Sequence, residues 1–412
     1  MSRVLVIAKG SLGDMIPMYA VASGLRDRGH RVLVGTQSRH LASAAALGLE
    51  AVAIDGRAAS AARRVPWISN EALGGSRAAF DAELSALTPQ ARAADVVLGN
   101  QLALSGPLVA ADQGRPWIYC AVSPLGLASG DNPCLVPLLQ RLQRRFPNSA
   151  PVDVGSRALV RTYAWLFSGV VRQAQSRLGL KHLGHPRFEG LFSRELNLVL
   201  TSPRLFERPP SFPTHTLVTG FTWLEPRFLD DSGAMRRALD FACSGEPPLL
   251  FALGGSARSK PGRFFQESLD ASRRLGMRAM VVAAKRFHAS IPSSPEVHAT
   301  TYLPYSSVFP RVRAVMHSGG IGTIGWAARH GRPSLLVPGA DDQFDNSYRA
   351  EQVGWARVWP RHRYRGPAVT AALDELLADA SLSARLSEVS SALSQEDGAT
   401  VACDAIEALL RG

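Results

Sequence analysis

His317-Ser318-Gly319-Gly320-Ile321-Gly322-Thr323 is the stretch on which the fold turns. An apolar run from Val312 to Met316 leads into it, and a helical pattern from Ile324 to His330 leaves it. The order is strand, glycine turn, helix start. Bare glycines let a phosphate approach the backbone, and the first turn of a helix offers unpaired N–H groups to it. His317, at the strand end, adds a donor or a positive charge. Gly319, Gly320, Gly322 and Thr323 add backbone or hydroxyl donors. The next apolar strand, Ser334 to Val337, ends at Pro338-Gly339 and runs into Asp341-Asp342-Gln343-Phe344-Asp345-Asn346. Acids and amides at such a place suit sugar hydroxyls, which both donate and accept. A strand-end histidine is often a hydrogen-bonded core residue, and an acidic loop often only faces water. The glycines and Thr323 behind His317 favour a diphosphate contact, so the joint expectation is a nucleotide-sugar site.

The same order of strand, glycine turn and helix opens both halves of the chain. Arg3 to Ala8 precedes Gly10–Gly13 and a helix from about Asp14 to Arg28. Pro248 to Leu253 precedes Gly254-Gly255-Ser256 and a helix from about Gly262 to Gly276, and Gly255 and Ser256 are expected to add a phosphate contact. Short apolar runs alternate with helical patterns at Arg31 to Gly35, Ala51 to Ile54, Val96 to Gly99 and Trp117 to Val122. They recur at Arg278 to Ala283, Val297 to Tyr302, Ala314 to Met316 and Ser334 to Val337. Alternation of this kind gives parallel sheets with helices on both faces. The expected fold class is therefore α/β, with two Rossmann-like domains facing a cleft. Pro203, Pro209, Pro210 and Pro213 mark a stiff linker within 203–222. The expected division is 1–208, 209–396 and a last helix within 397–412. The first glycine loop lacks the full dinucleotide fingerprint, and Val34-Gly35-Thr36-Gln37 carries no ribose-binding carboxylate, which counts against an oxidoreductase.

At 412 residues the chain holds two domains of ordinary size. Apolar residues make up 46% and charged residues 19%, the balance of a globular enzyme and not of a disordered chain. Val4 to Ala8 is too short for a leader and reads as a first strand. Cys120, Cys134, Cys243 and Cys403 are scattered without metal spacing, as expected of reduced cytoplasmic thiols. The net charge of +12 attracts anionic ligands or surfaces. No nucleic-acid module accompanies it. Arg141, Arg144 and Arg145 beside Leu135, Leu138, Leu139, Leu142 and Phe146 form a short basic amphipathic segment. It suits either an ordinary surface helix or a peripheral contact at the inner membrane face.

Gly10-Ser11-Leu12-Gly13-Asp14-Met15-Ile16-Pro17, the segment 317–323 and the segment 341–346 together resemble the family 1 glycosyltransferases of the GT-B fold. The resemblance runs along nearly the whole chain and is thin between about Asp55 and Thr201. It is nearest to bacterial members acting on lipid or natural-product acceptors, such as the rhamnosyltransferase chain of rhamnolipid synthesis. It implies an inverting transfer from a dTDP- or UDP-sugar, rhamnose or glucose-like, to a hydroxyl of a hydrophobic acceptor. No metal is expected. Many members carry a histidine base helped by an aspartate; here Asp14 holds the base position and Asn100 the helper position, so Asp14 is expected to act alone. Its alternative role is a helix cap.

By the same resemblance Asp342, Gln343 and Gly13 reach the sugar, and Tyr302-Leu303-Pro304 hold the base. The last helix crosses back onto the first domain. Trp67, Pro124 and Leu125 are apolar enough to line an acceptor pocket, though such residues are more often plain core. A nucleotide-sugar epimerase and a non-catalytic auxiliary protein are the rival readings.

Overall fold

The computed structural model describes residues 1–55, 75–127, 139, 142, 145–146, 149–206, 208, 212–225, 232–254, 261–292 and 294–411. The chain divides into two compact units, Met1–Leu224 with Asp397–Gly412, and Glu225–Glu396.

The first unit is built on β1 (Arg3–Ala8), β2 (Arg31–Thr36), β3 (Glu50–Ala53), β4 (Val96–Asn100), β5 (Trp117–Ala121), β6 (Leu196–Val199) and β7 (Thr216–Val218). Their order across the sheet is β3-β2-β1-β4-β5-β6-β7, and every pair is parallel. The helices between them are α1 (Leu12–Asp27), α2 (Leu41–Ala46), α3 (Arg77–Ala93), α4 (Gly106–Asp112), α5 (Ala150–Leu166) and α6 (Gly169–Arg177). A parallel strand in the middle of such a sheet is buried on both faces, which is why β1 reads as a continuous apolar run. Val6 pairs with Val34 on one side and Leu98 on the other, and all three are buried.

The second unit carries β8 (Leu249–Ala252), β9 (Ala279–Val282), β10 (Val297–Thr300), β11 (Ala314–His317), β12 (Ser334–Leu336) and β13 (Arg357–Val358), in the order β10-β9-β8-β11-β12-β13, again all parallel. Its helices are α7 (Ser232–Cys243), α8 (Phe264–Arg274), α9 (Tyr305–Val308), α10 (Ile321–Arg329), α11 (Gln343–Gln352), α12 (Pro367–Ala378) and α13 (Ala380–Ser394). Met316 sits between Phe251 and Leu335 in the sheet. Each sheet begins in its middle and winds outward in both directions. The reversal lies between β1 and β4 in one unit and between β8 and β11 in the other. Open parallel sheets bind ligands at such switch points, beyond the carboxyl ends of the strands.

The chain then returns to the first unit as α14 (Gly398–Arg411), which packs on α1. Cys403 contacts the Val21 carbonyl, and Arg28 pairs with Asp404 and Glu407. Gly398 donates its N–H to the Phe221 carbonyl at 2.9 Å.

Two readings of the sequence shift here. The proline-rich stretch 203–222 holds a strand, because Thr216–Val218 pairs with β6, and the first unit therefore runs past the expected division at 208/209. The acidic stretch after β12 is not all loop, since Gln343 begins α11. Among the described residues no helix is long and apolar enough to cross a membrane.

A β-carbon at Gly398 would lie 2.1 Å from the Gly220 carbonyl oxygen, which is backbone and has nowhere to go. Gly398→Ala is expected to cost about 1–3 kcal/mol, the range for overpacking a tight contact. Chemical denaturation of the variant checks it.

Candidate active site

In the first unit the chain leaves β1 through Lys9 and Gly10. Lys9 is buried and donates to the buried Glu83 at 2.6 Å, which fixes the strand end. Gly10 has φ of +116°, a conformation side chains resist, and a β-carbon there would lie 2.6 Å from Asp14 Oδ2 and 2.7 Å from Leu102 Cδ1. The turn thus holds the Asp14 carboxylate against the backbone. Asp14 lies in the first turn of α1. Its Oδ2 accepts from the Ser11 N–H and the Ser11 hydroxyl, each at 2.8 Å. The capping geometry is therefore real, and it also orients the carboxylate.

Asn100, at the end of β4, donates to the carbonyls of Lys9 and Asp14 at 2.7 and 3.4 Å and so ties the β1 exit in place. The side chain that faces the carboxylate itself is the next one. Gln101 Oε1 accepts from the Val122 N–H at 3.1 Å, which leaves Gln101 Nε2 turned to Asp14 Oδ1 at 3.5 Å. Sequence reading missed Gln101, because only the pairing of β4 beside β1 brings it there. Pro124 is buried and Leu125 half-buried in the turn Pro124–Leu127 that follows β5. Trp67, with Pro66 and Ile68, lies outside the described residues.

In the second unit the chain leaves β11 at His317, which is buried. His317 Nδ1 accepts from the Gly319 N–H at 3.2 Å, so the ring proton belongs on Nε2, and Nε2 has no partner. Burial pulls the imidazole down from its ordinary value to about 3. His317 is therefore a neutral N–H donor and not the cation that its position also allowed. Gly319 has φ of +82°, and a β-carbon there would meet Ser347 Oγ at 2.2 Å. Gly320 caps α10, whose first turn holds Gly322 and Thr323, and the leading N–H groups of a helix have no intrahelical acceptor.

The loop after β12 folds onto this turn. Asn346 Nδ2 donates to the Gly319 carbonyl at 3.3 Å and to Asp342 Oδ2 at 2.9 Å. Gln343 is buried and accepts from the Gly339 and Ala340 N–H groups at 3.0 and 3.2 Å. Its carbonyl thus shapes the loop. Asp341 holds φ of +52°, a strained conformation outside glycine. Four buried polar atoms, one at the end of β11 and three in the first turns of α11, have no hydrogen-bond partner: His317 Nε2, Asp345 Oδ1, Asn346 Oδ1 and Ser347 Oγ. Each costs roughly 1–3 kcal/mol while unmet.

Tyr302 donates its hydroxyl to Glu225 at 2.9 Å, and the same carboxylate accepts from the N–H groups of Tyr305 and Ser306. The Leu303 side chain is core, packed with Val308, Phe309 and Val315. Gly255 and Ser256 lie outside the described residues, as do Leu135, Leu138, Arg141 and Arg144 of the basic segment; its Leu142, Arg145 and Phe146 are exposed.

No family model matches the chain. Its sequence is 26% identical to an O-mycaminosyltylonolide 6-deoxyallosyltransferase from Streptomyces fradiae, over 98% of this chain and 97% of that protein. It is 23% identical to a sterol 3-beta-glucosyltransferase from Debaryomyces hansenii, over 96% of this chain but only 26% of that much longer protein. Its fold matches the glycosyltransferase SsfS6 from Streptomyces sp. SF2575, solved with thymidine diphosphate, at a TM-score of 0.60 and 19% identity over 97% of this chain and 98% of the other. The chain is a glycosyltransferase of the GT-B fold, related to natural-product and sterol glycosyltransferases.

Proposed function

We propose that this enzyme moves a sugar, rhamnose or glucose-like, from a thymidine- or uridine-linked diphosphate to a hydroxyl of a hydrophobic lipid or natural-product acceptor, with inversion. The four unmet polar atoms after β11 and β12 are the observation that carries the reading. A diphosphate-linked sugar meets them with matching chemistry. Its phosphate oxygens accept from His317 Nε2 and from the opening N–H groups of α10, and its hydroxyls both donate and accept among Asp342, Gln343, Asp345 and Asn346. The thymidine diphosphate in the SsfS6 structure and the deoxysugar named for the Streptomyces fradiae relative support the donor class.

The step balances simply. The acceptor oxygen bonds to the anomeric carbon as its proton passes to the Asp14 carboxylate. The bond from that carbon to the phosphate oxygen breaks, and the nucleoside diphosphate leaves with the electron pair. The negative charge that develops on it is met by fixed N–H dipoles. Tyr302 and the backbone of Leu303 are assigned to the base, and Pro124, Leu125 and Trp67 to the acceptor. A surface contact of the basic segment near Phe146 with an anionic membrane fits a lipid acceptor.

Asp14→Asn keeps the cap but loses the base, so turnover should fall by about two to four powers of ten while nucleoside diphosphate affinity holds. Steady-state rates with calorimetric binding check this; a rate within a few-fold of the parent would make Asp14 a cap alone.

Gln101→Glu sets a second carboxylate at the Gln101 position, 3.5 Å from Asp14 Oδ1 in the parent. Like charges that close raise one of the two pKa values. The acid limb of kcat/KM should move up by about one pH unit or more, read from a pH–rate profile.

His317→Ala should weaken nucleoside diphosphate binding by about 1.5–3 kcal/mol, the worth of a hydrogen bond to a charged group. A ring held neutral down to about pH 3 takes up no proton at pH 8. Binding enthalpies of the parent measured at pH 8 in buffers of different ionisation heat should therefore coincide.

A further inference from the structure

Most of the exposed large apolar side chains among the described residues fall within 142–166. On α5 they are Val154, Leu159, Tyr163, Trp165 and Leu166, exposed by 37% to 67%, while Ser156 is the one buried residue of that helix. At helical spacing these five span about half of the circumference. Charge gathers in the same place. The sequence from 132 to 188 carries nine lysines and arginines and a single acid, Asp153, in a chain whose net charge is +12. Arg161 and Arg177 pair with Glu189 and Asp81 from outside that stretch, and a positive excess remains. Arg172, on α6, sets its guanidinium carbon 4.2 Å from the centre of the Trp165 ring, and its Nε is closed off from solvent without a hydrogen-bond partner. Beside that pair, Lys181 and His185 help to line a hollow of about 580 Å³, with no carboxylate among the described residues around it.

Contiguous apolar exposure on this scale marks an interaction surface. Its shape and charge choose the partner. A helix face that bulges outward encloses no small molecule, since ligand pockets are concave. A second copy paired about a two-fold axis would set this basic surface against an equally basic one. A bilayer with anionic headgroups answers both features. Its acyl boundary takes the apolar face of a helix lying in its plane, tryptophan and tyrosine rest at headgroup depth, and lipid phosphates meet the arginines and lysines. We propose that α5 lies in the headgroup layer of an anionic membrane, with a lipid phosphate in the hollow lined by Trp165, Arg172 and Lys181. The inference rests on the lipid-acceptor reading above and names the helix and the lipid charge through which the enzyme reaches such an acceptor.

The test floats the full chain with vesicles of phosphatidylcholine, alone or with one part in three of phosphatidylglycerol. The parent should partition at least about ten-fold more strongly onto the anionic vesicles, and high salt should erase the difference. Arg172→Gln with Lys181→Gln should bring the anionic vesicles down to the level of the neutral ones. Leu159→Gln with Leu166→Gln should weaken partition onto both. Brominated phosphatidylcholine should quench the tryptophan fluorescence of the bound parent, and Trp165→Phe should bind as well but lose most of that quenching. Unaltered thermal midpoints show that the variants are folded. Equal partition onto the two kinds of vesicle, partition onto neither, or quenching that survives Trp165→Phe overturns the inference. So does a dimer in solution that Leu159→Gln with Leu166→Gln dissolves, because the face then belongs to a second copy. Sugar transfer to a water-soluble hydroxyl acceptor, measured without vesicles, would leave the transferase reading standing without it.

Discussion

Parallel pairing governs everything else in this molecule. A parallel strand must be followed by a crossover, and crossovers put every strand's carboxyl end on one edge of its sheet. In both units the first strand of the sheet lies in its middle, and the winding reverses beside it. The loops after β1 and β4, and those after β8 and β11, therefore diverge to opposite faces and leave an opening at the sheet edge. Asp14 and Gln101 are neighbours because β1 and β4 are. His317, Gly319, Gln343, Asn346 and Ser347 are neighbours because β11 and β12 are. None of these groupings is local in sequence.

The second unit keeps its opening by accepting local cost. Gly319 sits so close to Ser347 that a methyl group has no room, Asp341 holds a left-handed backbone, and buried donors and acceptors go unmet. A fold optimised only for stability would have filled these places. The sheet beneath supplies the offset, since β11 packs Met316 and Val315 into a fully buried layer, and each such side chain contributes about 1.5–3 kcal/mol. Rigid loops with unmet polar atoms lose little further freedom when a ligand arrives, which is how preorganisation raises affinity.

The architecture was legible because its signals are local and repeated. β1 with Gly10 and β11 with Gly319 each show an apolar run, a glycine at positive φ and a helix start within a dozen residues. Short edge strands were not legible. β7 is three residues long and follows a proline cluster, and β13 is two residues long, so neither carries an apolar pattern of its own. The start of α11 at Gln343 was hidden by its polarity, although Asp342 at the cap and Asp345 in the first turn are helix-start residues. The sequence gives His317 as donor or cation alike; only its burial decides for the neutral donor. Gln101 lies beyond any one-dimensional pattern, because it matters for what a neighbouring strand brings to it.

The return of α14 has a consequence for the order in which the molecule is made. Residues 397–412 follow the second unit along the chain yet complete the first. During synthesis, at roughly 5–20 residues per second, the second unit emerges whole and can close on itself. The first unit, though made earlier, lacks the helix that covers α1 until that later segment follows. Until then the contact surface of α1 around Val21 and Gly24 stays open. The unit synthesised first is thus the one that finishes folding last, and a chain cut short after the second unit loses part of the first.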